Sequence, residues 1–341
     1  MNNPDVLFDS AIISSLITSC SFIYISQKVG EMPRLQVIDG RHATGIIDPI
    51  TNMLIEGYAI LEEDVLGNPI IEAYFIQGVT YFYERGEKPY KIKNKAPYPL
   101  LVPIINRPDA KRPFGHSVIS RACISIQQAA MRTLKRSEVS AEFYSFPQKY
   151  VLGLEPGVEM DKWKATISSL MQISKDEDGD KPTVGQFAQQ SMAPYVEQLK
   201  MLASLFAGET GLTLDDLGFS TENPSSVEAI KAQHENLRLK ARKAQKTFAT
   251  GFINAGFLAA CLRDGYTYSR DQIYLTKIKW APIFEPDASA LSVIGDGAIK
   301  INQAVPGYFD KDNLKELTGI DYSASSSTSN IDDMFKEEID E

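Results

Sequence analysis

The sequence predicts an α+β chain, and three observations carry that prediction. Short apolar–polar alternations separated by turn residues fill the first hundred residues. Two amphipathic helical segments then flank a small strand-bearing insertion. Behind them a glycine-punctuated acidic loop, GETGLTLDDLGFSTENPSS, leads into a long charged helix.

In chain order, residues 5–20 read as a short helix running into a strand, Phe22-Ile23-Tyr24-Ile25. Strand-like runs follow at 34–38, 59–61, 70–76 and 80–84. Asp39-Gly40, Leu66-Gly67-Asn68-Pro69 and Arg85-Gly86 punctuate them as turns. This pattern predicts a twisted sheet with hairpins, antiparallel in part. The proline-rich stretch from Pro97 to Pro113 ends the region in extended backbone.

Residues 116–143 predict a helix with Ile119, Ala122, Ile126 and Leu134 on one face, ended by Pro147. A strand at 149–152, a small helix at 159–171 around Trp163, an acidic turn at 175–182 and a return strand at 183–187 come next. A second helix opens at Pro194 and runs to Gly208. The expected arrangement is two antiparallel stalks carrying a small distal module.

The long helix is predicted over about 225–263. Ser225 and Glu228 form a capping box behind Pro224, each side chain reaching an orphan amide of the other. Val227, Ile230, His234, Leu237, Ala241, Ala244 and Phe248 recur at steps of three and four, a narrow apolar seam on which His234 reads as a packed histidine. Lys231, Glu235, Arg238, Arg242 and Lys246 form a second, charged stripe. Gly251 and Gly256 are the expected bending points. A strand over Ile273–Trp280 and helices at 288–304 and 310–318 follow, the last capped by Asp310. SASSSTSN at 323–330 and the acidic end of the chain predict a disordered tail.

Composition narrows the function classes. With 341 residues, 43% of them apolar and 23% charged, the chain can build a sizeable core. Cys20, Cys123 and Cys261 are too scattered for a disulfide framework, and His42, His116 and His234 do not cluster with them as zinc ligands would. The formal charge is −9, of which residues 331–341 supply −5, so the remainder carries −4. An acidic chain does not wrap nucleic acid by neutralising phosphates. No apolar run reaches the ~18–20 residues of a membrane span. Neither a phosphate loop nor GxGxxG is present. Gly115-His116-Ser117 lacks the second glycine of a nucleophile elbow, so Ser117 reads as a residue near a helix cap. The acids at 176–180 lack the closing glutamate of a calcium loop and read as a solvated turn. The basic stripe is either a solvated or packed face or a nucleic-acid contact. No catalytic residue, metal site or cofactor is expected.

Several motifs occur in an order that resembles a family. Arg112-Pro-Phe-Gly-His-Ser-Val-Ile-Ser-Arg is followed, one helix later, by Ala141-Glu-Phe-Tyr-Ser-Phe-Pro-Gln-Lys-Tyr-Val-Leu-Gly153. Then come Pro182-Thr-Val-Gly-Gln-Phe187, Thr210-Gly-Leu, Leu217-Gly-Phe219 and Asn223-Pro-Ser-Ser-Val-Glu-Ala-Ile230. The chain resembles the portal proteins of tailed bacteriophages, of the siphovirus type, from about Ala11 to about Gly319. Each motif is weak alone; their order carries the resemblance.

The resemblance implies a ring, usually a dodecamer, at one vertex of the capsid, through which double-stranded DNA is packaged and ejected. It implies a partial wing at 1–115, stem helices at 116–144 and 191–209 around a clip at 145–190, and a tunnel loop at 210–224. The long helix and wing return would occupy 225–287, a helical crown 288–322 and the tail 323–341. Implied partners are other copies of the chain, the duplex, the terminase large subunit, major capsid and scaffolding proteins and head-completion connectors, with no membrane. The implied location is the virion, after synthesis in the host bacterial cytoplasm. Family members carry a longer segment before the equivalent of Ala11, so the chain is expected to be shortened at its N-terminus.

Under this resemblance Asp215, Asp216 and Glu222 line the channel with like charge, which centres a polyanion without holding it. Leu212, Leu214, Leu217 and Phe219 pack loop against loop. Lys231, Arg238, Arg242 and Lys246 become a subunit–subunit face, since ring closure needs heterologous interfaces. The alternatives are a DNA-binding accessory protein using the basic helix, or a hydrolase using Ser117 or the acidic turn.

Overall fold

A proline at the first helical position, where a missing N–H costs nothing, starts α1 (Pro4–Thr18). Ser19 then turns the chain at φ 80° into strand β1 (Cys20–Ser26). The computed structural model describes residues 3–28, 30–145, 149–152, 183–186, 191–219, 227–273, 276–280 and 288–318. The chain divides into two units, Met1–Thr276 and Lys277–Glu341.

Residues 20–105 of the first unit hold two antiparallel sheets. β2 (Arg34–Asp39) and β8 (Leu101–Ile105) flank β1 in the order β2-β1-β8. β3 (Ala43–Ile47), β4 (Leu54–Glu63), β5 (Pro69–Ile76), β6 (Val79–Glu84) and β7 (Tyr90–Lys93) form a five-stranded meander in chain order. The predicted sheet is therefore two sheets. β3 and β7 were not expected, and β8 lies inside the proline-rich stretch. Pro103 is tolerated there because β8 is an edge strand, with only one ladder to serve.

β1 and β8 are buried on both faces. On one face Ser21 and Ile104, cross-strand partners, meet α1. The Ser15 Oγ lies 2.9 Å from the Ile104 carbonyl and 2.8 Å from the Ser21 Oγ, and the Ser21 Oγ lies 2.8 Å from the Ala11 carbonyl. Two hydroxyl protons thus serve two carbonyls inside the core. On the other face Tyr24 meets Phe75 of β5, ring centres 5.4 Å apart. The three-stranded sheet is sandwiched between helices and the meander.

α2 (Arg121–Ser145), β9 (Lys149–Leu152), β10 (Thr183–Gln186) and α3 (Ala193–Thr210) follow. The first of these helices starts later than the predicted 116. The Ser117 hydroxyl donates to the Ile17 carbonyl at 2.6 Å, holding this stretch against α1. Ser120, whose Oγ accepts the Cys123 amide at 3.2 Å, is the actual cap.

The long helix is two: α4 (Val227–Gln233) and α5 (Glu235–Asp264), broken at His234 with φ −85° and ψ 5°. The break is not at a glycine. Gly251 is instead a contact point with β8, where an added Cβ would lie 2.6 Å from Ile104 Cδ1 and 3.0 Å from the Pro103 carbonyl. Phe252, beside it, meets Phe8 of α1 edge-on at 4.7 Å. The same face of the three-stranded sheet therefore carries α1 and α5.

The predicted strand over 273–280 does not appear among the described residues of that range. Ile273 closes the short helix α6 (Arg270–Ile273), whose Arg270 reaches the Thr51 carbonyl and Asn254. Residues 276–280 have no strand partner among the described residues.

In the second unit α7 (Ala288–Ala304) and α8 (Lys311–Thr318) are joined by a short loop. Asn302 bridges it by accepting the Phe309 amide at 2.7 Å and donating to its carbonyl at 2.9 Å. Asp310 caps the second helix through the Asn313 amide, as its position predicts. Trp163, the acidic turn, Ser225 of the capping box and the tail lie outside the described residues.

Candidate functional site

α2 and α3 form an antiparallel pair fastened near both ends. Ser120, just before α2, donates to Glu209 at the end of α3 at 2.7 Å. Ser140 and Tyr195, at the opposite ends, share a hydroxyl–hydroxyl bond of 2.8 Å. β9 and β10 pair antiparallel between them, Lys149 opposite Gln186. The pair is two helices thick, so each helix can bury only part of its apolar surface. Ile124, Met131 and Leu134 of α2 and Val196, Met201 and Leu205 of α3 remain exposed.

The described part of the loop after α3 runs from 211 to 219. Gly211 ends the helix at φ +84° and donates its amide to the Ala207 carbonyl at 2.8 Å. That left-handed cap suits glycine alone at little cost. Thr213 and Asp216 then cap each other. The Asp216 carboxylate accepts the Thr213 amide at 2.8 Å and hydroxyl at 2.9 Å, while the Thr213 Oγ1 accepts the Asp216 amide at 3.2 Å. Phe219 folds back with its amide on the Leu214 carbonyl at 3.0 Å. Leu212, Leu214, Leu217 and Phe219 are half-buried, and Asp215 is exposed. Glu222 and Ser225 lie outside the described residues, so the Ser225–Glu228 box does too.

His234 is half-buried and held by polar partners. At the helix break its Nδ1 lies 2.9 Å from the Ile230 carbonyl and its Nε2 3.4 Å from Asp216 Oδ1. Both partners are acceptors, so both ring nitrogens donate only in the imidazolium form. The Ile230 carbonyl and then Asp216 accordingly raise the His234 pKa above its ordinary value. Asp216 is held below the usual carboxylate value, first by the Thr213 amide, then by the Thr213 hydroxyl and His234.

The charged stripe is partly committed within its own helix. Arg238 forms a forked pair with Glu235 at 2.7 and 2.6 Å, while Arg242 and Lys246 are exposed and Lys231 is half-buried. Lys240, which no local pattern singles out, donates to the Thr210 carbonyl at 2.7 Å and the Glu209 carbonyl at 3.2 Å. It caps the C-terminal carbonyls of α3 from a helix thirty residues away in sequence.

Of the hydrolase alternative, the acidic turn lies outside the described residues, and Ser117 is not paired with a base among them. The Ser117 hydroxyl is given to a backbone carbonyl, and His116 pairs with Asp109 at 2.6 Å rather than with the serine. Among the described residues no group of three or more His, Cys, Asp or Glu is placed to hold a metal. No described helix is long and apolar enough to cross a membrane.

No family model matches the chain. It is similar to two curated proteins, each named portal protein. The one from Mycobacterium phage L5 is 24% identical over 317 residues, 88% of this chain. The one from Mycobacterium phage D29 is 26% identical over 223 residues, 64% of this chain. The chain is related to the portal proteins of bacteriophages. It spans 64% and 45% of the length of these two portal proteins, respectively. The motif order in the sequence points to the same family.

Proposed function

We propose that the chain is a portal subunit: a non-enzymatic protein that assembles with copies of itself into a ring at a capsid vertex, through which double-stranded DNA is packaged and ejected. The observation that supports this reading best is the fastened α2–α3 pair. Its exposed Ile124, Met131, Leu134, Val196, Met201 and Leu205 are apolar side chains on a two-helix element too thin to cover them. Neighbouring copies arranged head to tail would cover such faces all round a ring. In this reading α2 and α3 are the stem, the segment carrying β9 and β10 is the clip that docks terminase and connector proteins, and 210–224 is the tunnel loop.

Asp215 then faces the channel and repels DNA, while Asp216 keeps the loop in shape through Thr213 and His234. Leu212, Leu214, Leu217 and Phe219 support the loop from behind or against its neighbours. Arg242, Lys246 and Lys231 serve the subunit face; Arg238 is already neutralised by Glu235. The accessory DNA-binding alternative is weaker for the same reason: Arg238 and Lys240 are engaged within the chain.

Electron microscopy of the purified full chain tests the proposal. Rings with an axial hole wide enough for a duplex are expected. A monomer at all concentrations, with no ring on addition of capsid components, would sink it.

A further inference from the structure

The first unit contains a cavity of about 340 Å³ that the portal reading does not use. It opens where β1 ends, between the inner faces of the two sheets, with the C-terminal end of α5 as one wall. Its apolar lining includes Phe82, Ile92, Leu100 and Leu262. Thr80 lines it as well, between Phe75 and Ile92 in the ladders of β6. Thr80 is 3% exposed, and its Oγ1 is the one buried side-chain polar atom without a hydrogen-bond partner among the described residues. A buried hydroxyl left unpaired is costly, and native proteins retain one where something else completes it.

The rim is charged with one sign. Lys28, Lys93 and Lys95 line the opening, and no aspartate or glutamate does. None of the three lysines forms an ion pair among the described residues. Tyr24, also in the wall, has its pKa pushed up to about 12, chiefly by burial, so it stays a neutral phenol and adds no negative charge. β7, which carries Lys93, is the free edge of the meander. Its outer backbone groups can therefore receive an extended segment beside the cavity.

We propose that this cavity is a docking site for an acidic peptide segment of a partner protein. An aromatic side chain of the peptide enters between Phe82, Leu100 and Leu262, and its polar tip bonds the Thr80 hydroxyl. Carboxylates on either side meet Lys28, Lys93 and Lys95. The volume lies within the ordinary range for ligand pockets, and aromatic anchors flanked by charge complementarity are how such pockets select partners. The site lies wholly within the first unit and does not depend on ring formation.

The test uses the full chain and a fluorescein-labelled acidic pentapeptide, Glu-Asp-Tyr-Asp-Glu, followed by fluorescence anisotropy. Comparison peptides replace its tyrosine with phenylalanine or alanine, or its acids with lysine. Saturable binding of the tyrosyl peptide is expected, weakened by added salt, with the alanyl and lysyl peptides silent. Lys93→Glu with Lys95→Glu, both on the exposed rim, should lower affinity about ten-fold or more. Thr80→Val should abolish the preference for tyrosine over phenylalanine while leaving the melting temperature unchanged or higher, because it removes an unpaired group. If Thr80→Val does not fold, the lysine pair decides the question alone. Absence of saturable binding to the wild-type chain overturns the proposal. Binding that ignores the lysine reversal, or an alanyl peptide that binds as well as the tyrosyl one, overturns it equally.

Discussion

Lys240 donates its ammonium to the Thr210 carbonyl at 2.7 Å, joining the second turn of α5 to the last turn of α3. The lysine sits over Gly211, so closely that a Cβ at Gly211 would lie 2.9 Å from its Nζ. Gly211→Ala should therefore destabilise the first unit by about 1 kcal/mol, from the left-handed φ, with further loss as Lys240 is displaced. Lys240→Met, which keeps the aliphatic stem, should leave the fold intact but speed amide exchange over 207–213. Hydrogen exchange measured on both variants checks this. Protection unchanged in Lys240→Met would show that the cap carries no weight.

The His234–Asp216 tie should make the loop pH-sensitive. The pKa of His234 is raised above 6.5, so its contribution is complete below that value and fades as pH rises through the raised one. Asp216 is lowered below 3.8, so its contribution is complete above that value and fades only as pH falls through the lowered one. Asp215 also favours the imidazolium. Amide protection factors over 213–219, which are corrected for the intrinsic base-catalysed exchange rate, should be greatest in mildly acidic solution and fall towards alkaline pH. His234→Gln should flatten that profile; a flat wild-type profile would refute the tie.

Two glycines of α5 should respond with opposite signs. Gly251→Ala drives a methyl into Ile104 and the Pro103 carbonyl, costing about 1–3 kcal/mol through forced shifts in a packed core. Gly256 has nothing within 4 Å of the added carbon, so Gly256→Ala should stabilise by about 0.5–1 kcal/mol through helix propensity. Chemical denaturation of the two variants settles both signs.

Met131→Glu combined with Leu205→Glu should separate assembly from folding. Both side chains are exposed in the single chain, 62% and 54%, so its melting temperature should barely move. If copies pack there, oligomers should dissociate, because each copy then buries unpaired carboxylates. Sedimentation velocity distinguishes the outcomes; rings of unchanged stability would place the interface elsewhere.

The sequence by itself determined the strand-then-helix order, the α2–α3 pair and the Asp310 cap. These follow from periodicity and from capping chemistry that acts within a few residues. The order of short motifs also carried the family resemblance. Other features depended on tertiary partners. The α2 start moved from Ser117 to Ser120 because the Ser117 hydroxyl is spent on Ile17, a hundred residues away in sequence. The long helix breaks at His234, not at a glycine, beside a loop carboxylate that local propensity does not register. Pro103 sits in a strand because β8 lies at an edge, and Gly251 is a contact because β8 passes beneath it. Lys240 and Thr80 carry no local signal at all. The first becomes a cap, and the second an unpaired hydroxyl in a basic-rimmed cavity, only when distant elements are brought together. A residue's hydrogen-bonding capacity is a property of its side chain, whereas its partners are assigned by packing.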